Sequence, residues 1–204
     1  MKLIDYIDLF IIDHGWVRSL INNNFHRIDD GVYRSGQPSP RLLKSYIVNY
    51  NIKTIVNLRK PIDSEKNIFL IQKKVCNNFN LSMVNIPFSA RKLPNRETLK
   101  LMIGAVKEME LPFLVHCKTG ADRTGFFMAL YKFYKTNDIL EAKKQLSLKY
   151  LHIKYSQTGI LDYFFEKIDT LKLDNSSLEE WVEENYDSNQ ISKEYYESKI
   201  NKNN

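Results

Sequence analysis

The sequence predicts an α/β fold with a central, mostly parallel sheet flanked by helices, and three observations carry the prediction. Short β-branched or apolar runs alternate along the chain with segments of helical period. One run, PFLVHC (112–117), is apolar without alternation, the pattern of a strand buried on both faces and therefore central. A glycine-containing turn follows it, and a helix-compatible segment begins at once, as strands feed helices in such sheets.

The elements follow in order. MKLIDYIDLFIIDHGWVRSL is interrupted by Asp5, Asp8 and Asp13. It therefore fails as a signal h-region and is too charged to cross a bilayer. An amphipathic helix packing on the domain is expected over 1–24. VYRSGQP (32–38) reads as a short strand and a Gly/Pro turn, and RLLKSYIVNY (41–50) has helical spacing. NIKTIVNLRK (51–60) holds a β-branched strand run. In 64–80, Ser64 opens a helix whose apolar face is Ile68, Ile71, Val75 and Phe79. LSMVNIPF (81–88) is a strand ended by Pro87. Asn95 is the expected N-cap of a helix over 95–109 that presents Leu99, Met102, Ile103 and Val106 on one face. After strand 112–117, helices are expected at 124–135, 138–150 and 158–171. The segment 174–204 reads as an acidic tail, a docked helix with a frayed end.

Hydrophobic residues make up 43% and aromatic ones 12% of the 204 residues, a composition that buries a sizeable core in one domain with a tail. Two cysteines, Cys76 and Cys117, exclude a disulfide framework and point to a reducing compartment. No Cys/His cluster has metal-ligand spacing, so no metal is expected. Cys76 lies on the apolar-periodic helix and reads as inert filling. The net charge of +6 hides an asymmetry: from Asp174 onward eight acids stand against three lysines, so the body is more basic than the whole. A basic body suits an anionic substrate. Nucleic acid is not expected, because aromatic and basic residues do not interleave as in a known binding module.

The stretch HCKTGADRTG occupies the strand-to-helix hinge, where ligands bind in open α/β sheets. Six successive amides, from Lys118 through Thr119, Gly120, Ala121 and Asp122 to Arg123, can curl round one anion, aided by the helix N-terminus. Gly120 permits backbone angles that a side chain resists, and Gly125 allows close approach. The same positive field lowers the pKa of the Cys117 thiol and makes it a competent nucleophile. Arg123 offers a planar fork for two phosphate oxygens. The Thr124 hydroxyl can donate to the thiolate and help it leave, and His116 orients the loop.

VHCKTGADRTG resembles the Cys-x5-Arg-Ser/Thr signature of the cysteine-dependent protein tyrosine and dual-specificity phosphatase superfamily. VYRSGQPSP and IVNLR resemble the opening strands of its compact bacterial members. The resemblance implies a dual-specificity-phosphatase-like fold, with the phosphatase domain expected over 25–173. It implies a two-step reaction in which Cys117 attacks phosphorus, forms a phosphocysteine and is released by water. No cofactor and no metal are required, and a cytoplasmic enzyme is expected. The implied substrates are phosphorylated proteins, phosphoinositides or other lipid phosphates, or inositol phosphates. A non-catalytic phosphate-binding module is the alternative. Oligomeric state is not legible.

Most relatives take a general-acid aspartate from a loop before the signature. Here that region, NIPFSARKLPNRE (85–97), holds no Asp, and its one carboxylate is Glu97. Asp122, inside the loop, is the preferred acid, in a place that resembles the aspartate of myotubularin-like and Sac-type phosphoinositide phosphatases. Asp63, after an earlier strand, is the second candidate. Lys118 at the rim resembles lipid-phosphate enzymes. Arg59, Lys60, Arg91 and Lys92 could line the same rim, Arg34 is expected to support the loop, and Gln157 and His152 read as structural.

Overall fold

The structure is a computed structural model that describes residues 22–60 and 66–201. The expected helix over 1–24 lies outside the described residues except for its last three, Asn22–Asn24, which form a 3-10 turn. The chain divides into two compact units. One holds the described residues up to Pro87 together with Met109–Thr124; the other holds Phe88–Glu108 and the described residues from Gly125 onward.

The first unit contains a five-stranded sheet in the order β1-β2-β5-β3-β4. Its strands are β1 (His26–Asp29), β2 (Val32–Ser35), β3 (Thr54–Asn57), β4 (Ser82–Asn85) and β5 (Phe113–His116). All neighbours are parallel except β1, which pairs antiparallel with β2 at the edge. β5 is central and buried throughout, as its unbroken apolar run predicts. β1 has no counterpart in the sequence reading: its HRID residues are partly exposed and carry no alternation strong enough to announce a strand.

Register decides where the site forms. Ser35 pairs with His116, His116 with Asn57, and Asn57 with Asn85, so four parallel strands end level. The loops that follow them therefore share one edge of the sheet, where ligands bind in such folds.

Helices α1 (Pro40–Tyr50) and α2 (Lys66–Asn78) belong to the same unit. The Ser39 side chain accepts from the Leu42 amide, and Pro40 occupies the first helical position, where its missing N–H costs nothing. Tyr33, Leu43, Tyr46, Ile55, Val75, Cys76 and Leu114 form one buried cluster.

The second unit is helical. It begins with α3 (Arg96–Glu108), whose Asn95 accepts from the Thr98 amide at 2.9 Å, the cap expected from sequence. Helix α4 (Asp122–Thr136) starts at the end of the first unit and continues here. Where one helix was expected over 138–150, the structure has a short α5 (Ile139–Lys143) and a 3-10 turn at Leu148–Tyr150. Ser147 is the reason. Its hydroxyl donates to the Lys144 carbonyl at 2.8 Å and its backbone is extended, which competes with the helical ladder. Helices α6 (Ile160–Thr170), α7 (Asn175–Glu184) and α8 (Ser188–Asn201) follow. Asp174 and Ser177 cap α7 reciprocally. The acidic segment thus holds two helices, and Leu178, Val182, Tyr186, Ile191 and Tyr195 are buried. Phe126 lies 5.1 Å from Phe164 and 5.4 Å from Phe165, and Phe164 lies 5.9 Å from Tyr186, giving this unit an aromatic core.

Candidate active site

Cys117 follows the last residue of β5, and α4 begins at Asp122. The intervening loop is held from outside through its carbonyls. The Lys118 carbonyl accepts from the Gln37 amide at 3.1 Å, and that of Thr119 from Asn24 Nδ2 at 3.1 Å. The carbonyls of Gly120 and Ala121 both accept from Arg34 Nη2, at 2.8 and 3.2 Å. In a trans peptide the N–H points opposite the C=O. Four carbonyls turned outward therefore turn the amides of Thr119, Gly120, Ala121 and Asp122 toward the loop's concave side. This is a row of donors suited to one tetrahedral anion.

The supports explain their own residue types. Arg34 is fully buried, and its guanidinium reaches two carbonyls at once, as expected of a scaffold residue. Asn23 and Asn24 adopt φ of 54° and 51°, a left-handed conformation that asparagine tolerates well among non-glycine residues. The Asn23 side chain donates to the Gly36 carbonyl at 3.0 Å, while the Gly36 amide donates to the Asn23 carbonyl at 2.7 Å. Gly120 has φ +75°, and a Cβ there would stand 2.6 Å from the Gly36 nitrogen, so the loop and the turn after β2 touch backbone to backbone.

The Cys117 sulfur is enclosed, with the residue 2% exposed. Burial by itself pushes a thiol pKa up. Here it is outweighed by the Arg123 charge, the Thr124 hydroxyl and the amides of Thr124 and Gly120, and the thiol is held below its ordinary value. The Thr124 hydroxyl is buried, and its interaction with the sulfur is one of the contacts that hold the thiol low. Arg123 Nη1 donates to the Leu58 carbonyl at 3.2 Å, a contact that aims the guanidinium from the end of β3. Cys76 has the opposite environment: burial in the apolar cluster pushes its thiol up to about 11.

Among the other expected site residues, Thr119 is exposed, Lys118 is half-buried, and Gly120 and Ala121 are buried. His116 is fully buried at the end of β5, where Nδ1 faces the Cys117 carbonyl at 3.4 Å. Gly125 is buried in α4. Asp122 is the first residue of α4, half-exposed, where a carboxylate complements the helix dipole. Asp63 lies outside the described residues. Arg59, expected at the rim, is instead 5% exposed, with Nη1 donating to Gln37 Oε1 at 3.1 Å. Its guanidinium satisfies a buried amide and does not reach into solvent. Lys60 is exposed. Arg91 and Lys92 are exposed and belong to the second unit. Gln157 is exposed, and His152 is buried with Nε2 2.7 Å from Asp162 Oδ2, the satisfied packing histidine expected of it. Sequence reasoning missed Asn23, Asn24, Gln37 and Gln72, which carry no local motif and act across the fold.

A family model described as "DSP-PTPase phosphatase fused to NAD+ Kinase" matches residues 21–160. The chain belongs to this DSP-PTPase phosphatase family. Curated relatives include an inositol diphosphatase, DSP3, of Arabidopsis thaliana, 30% identical over 106 residues that make up 50% of each chain. They also include the dual specificity protein phosphatase TpbA of Pseudomonas aeruginosa strain UCBPP-PA14. It is 30% identical over 110 residues, 53% of this chain and 46% of that one. The chain spans about half the length of the curated relatives it matches. The solved structure of P. aeruginosa TpbA superposes with a TM-score of 0.57 at 21% identity, over 74% of this chain and 90% of that one. PTPMT1 in complex with PI(5)P superposes at 0.52 and 18%, over 73% and 99%. The phosphatase family thus shares this α/β fold, with a mostly parallel sheet flanked by helices. Among the described residues, no helix is long and apolar enough to cross a membrane.

Proposed function

We propose that the chain is a cysteine-dependent phosphomonoester hydrolase, its activity residing in residues 25–173, and that it turns over through a phosphocysteine. One observation supports this above the rest. The sulfur of Cys117 is enclosed where Arg123, the Thr124 hydroxyl and inward-turned amides together outweigh its burial and favour the thiolate.

In the first step the Cys117 thiolate attacks phosphorus and the bond to the ester oxygen breaks. The amides from Thr119 to Arg123 and the Arg123 fork hold the equatorial oxygens as charge spreads over them. Asp122 gives its proton to the departing oxygen. In the second step water attacks phosphorus and passes a proton to Asp122, and the S–P bond breaks. Inorganic phosphate and the thiolate are released, and Thr124 donates to the returning sulfur. His116 and Gly125 shape the loop.

The substrate class proposed first is phosphorylated protein, in keeping with the dual specificity relative. Inositol phosphates or phosphoinositides are the second reading, favoured by half-buried Lys118 beside the loop and by the inositol diphosphatase relative.

The test is one preparation of wild type beside Cys117→Ser and Asp122→Ala. Each is assayed on an aryl phosphate, a phosphotyrosine peptide, a phosphoinositide and inositol phosphates. Wild type should turn over at least one of these and be inhibited by vanadate but not by chelators. Cys117→Ser should lose turnover and keep phosphate affinity. Asp122→Ala should slow esters with poor leaving groups far more than activated aryl esters. Turnover surviving in Cys117→Ser rules out covalent catalysis. A wild type that binds phosphate yet turns over none of the four makes the chain a binding module.

A further inference from the structure

A line of four buried polar side chains runs from the end of β3 to the catalytic loop. Arg59 Nη1 donates to Gln37 Oε1 at 3.1 Å. Gln37 Nε2 donates to Gln72 Oε1 at 3.3 Å, and Gln72 Nε2 meets His116 Nε2 at 2.6 Å. On the far side of the ring, His116 Nδ1 faces the Cys117 carbonyl at 3.4 Å. Arg59, Gln37, Gln72 and His116 are between 0% and 5% exposed.

The direction of every bond in this line follows from its first member. A guanidinium carries five N–H donors, has no acceptor and stays protonated in proteins. The Gln37 atom that faces it is therefore the carbonyl oxygen. This turns the Gln37 amide nitrogen toward Gln72 and requires an oxygen there. The Gln72 amide nitrogen is then left to face His116 Nε2. That nitrogen accepts, so the ring proton sits on Nδ1 and points at the Cys117 carbonyl. A second ring proton would set two donors against each other in a dry site, a costly arrangement.

We propose that Arg59, Gln37 and Gln72 are positioning residues that set the tautomer of His116. Through the Nδ1–H they hold the first peptide of the phosphate loop with its carbonyl turned away from the sulfur. The hydrogen-bond sense of one cation is thus carried through two amides to the strand–loop junction. The side chains of Gln37 and Gln72 act on the loop through His116, apart from the Gln37 backbone amide that donates to the Lys118 carbonyl, and their effect on turnover is indirect.

The experiment is ring-nitrogen NMR on the full chain with labelled histidine, for wild type, Gln72→Glu, Arg59→Lys and Arg59→Met. His116 is assigned by the loss of its signals in His116→Gln. Wild type should show a protonated Nδ1 and a bare Nε2. Arg59→Lys, still donor-only, should keep that signature. Arg59→Met removes the cation that holds the Gln37 oxygen and leaves the longer donation from Gln37 Nε2 to the Pro38 carbonyl, 3.4 Å, to resist turning, so it should give a mixture of tautomers. Gln72→Glu has the same shape but only accepts, so Nε2 should gain a proton. An Nε2–H tautomer in wild type, or a bare Nε2 in Gln72→Glu, overturns the relay.

The kinetic side of the inference rests on the phosphatase reading. There, Gln72→Glu should lose up to about tenfold in kcat/KM, the worth of one buried hydrogen bond, with aryl phosphate affinity for Cys117→Ser/Gln72→Glu little changed. The NMR signature is independent of turnover. A chain with the expected ring protonation but no activity would refute the phosphatase and leave the relay standing. Unaltered kcat/KM in Gln72→Glu with Nε2 protonated would refute the positioning role.

Discussion

Arg34→Met removes the donors that hold the loop after Cys117 by its back and keeps a long side chain in the same space. Arg34 is fully buried and satisfies the carbonyls of Gly120 and Ala121 at 2.8 and 3.2 Å. Each buried carbonyl left without a donor costs about 1–3 kcal/mol, so the pair costs about 2–6 kcal/mol. Sparing the protein a buried cation offsets part of this, which leaves about 3 kcal/mol as the central expectation. That is a large share of the roughly 5–15 kcal/mol that holds a domain folded. With an m-value of about 2–3 kcal/mol per molar urea, the midpoint should fall by about 1 M with m unchanged. The functional readout is the pH dependence of alkylation at Cys117. Freed carbonyls let the amides turn, so the onset of thiolate reactivity should move up toward the 9.0 of an ordinary thiol. Cys76 does not confuse the signal, because burial holds it near 11. A midpoint within 0.2 M of wild type (on the order of 0.5 kcal/mol) and an unmoved alkylation profile would refute the view that Arg34 orients the amides.

Three further outcomes are expected. Thr124→Val is nearly isosteric and removes one hydroxyl donor from the thiolate. A hydrogen bond to a charged group is worth about 1.5–3 kcal/mol, so the alkylation onset should rise by about one pH unit or more, and an unchanged onset would mean the hydroxyl does not serve the sulfur. Gly120→Ala puts a Cβ 2.6 Å from the Gly36 backbone at φ +75°; it should cost more than the roughly 1–2 kcal/mol of left-handed backbone alone and weaken vanadate binding at least about tenfold, whereas wild-type affinity would show that the loop and the β2 turn can separate freely. Cys76 gives an alkaline signature. The unfolded thiol ionises from 9.0 while the folded one keeps its proton to about 11, so its contribution is intact below pH 9 and falls by roughly 2 kcal/mol by pH 11. Urea titrations at several pH values should show that fall, and Cys76→Ala should remove its share, while Tyr46, Tyr134 and Tyr186, whose pKa values burial also raises, keep theirs above pH 10; Cys117 acts in the opposite sense, adding stability as pH rises toward 9.0.

Most of the elements and the chemistry of one loop were legible in the chain alone. An unbroken apolar run can only be buried on both faces, and β5 is the central strand. A thiol, two glycines, an arginine and a threonine at a strand-to-helix hinge form a local pattern, since their positions relative to one another follow from a few consecutive dihedrals. The helix expected over 138–150 failed because apolar spacing says nothing of a serine that bonds back to the Lys144 carbonyl. The edge strand β1 went unseen because its pairing with β2, not its composition, makes it a strand. Tertiary structure decided which way the loop faces. Its carbonyls are held by Arg34 and Asn24 across 86 and 95 residues of chain, and His116 by Gln72 across 44. It also moved Arg59 from an expected rim cation to a buried donor. Hydrogen-bond direction is a property of pairs brought together by the sheet's register, and no stretch of sequence contains both partners.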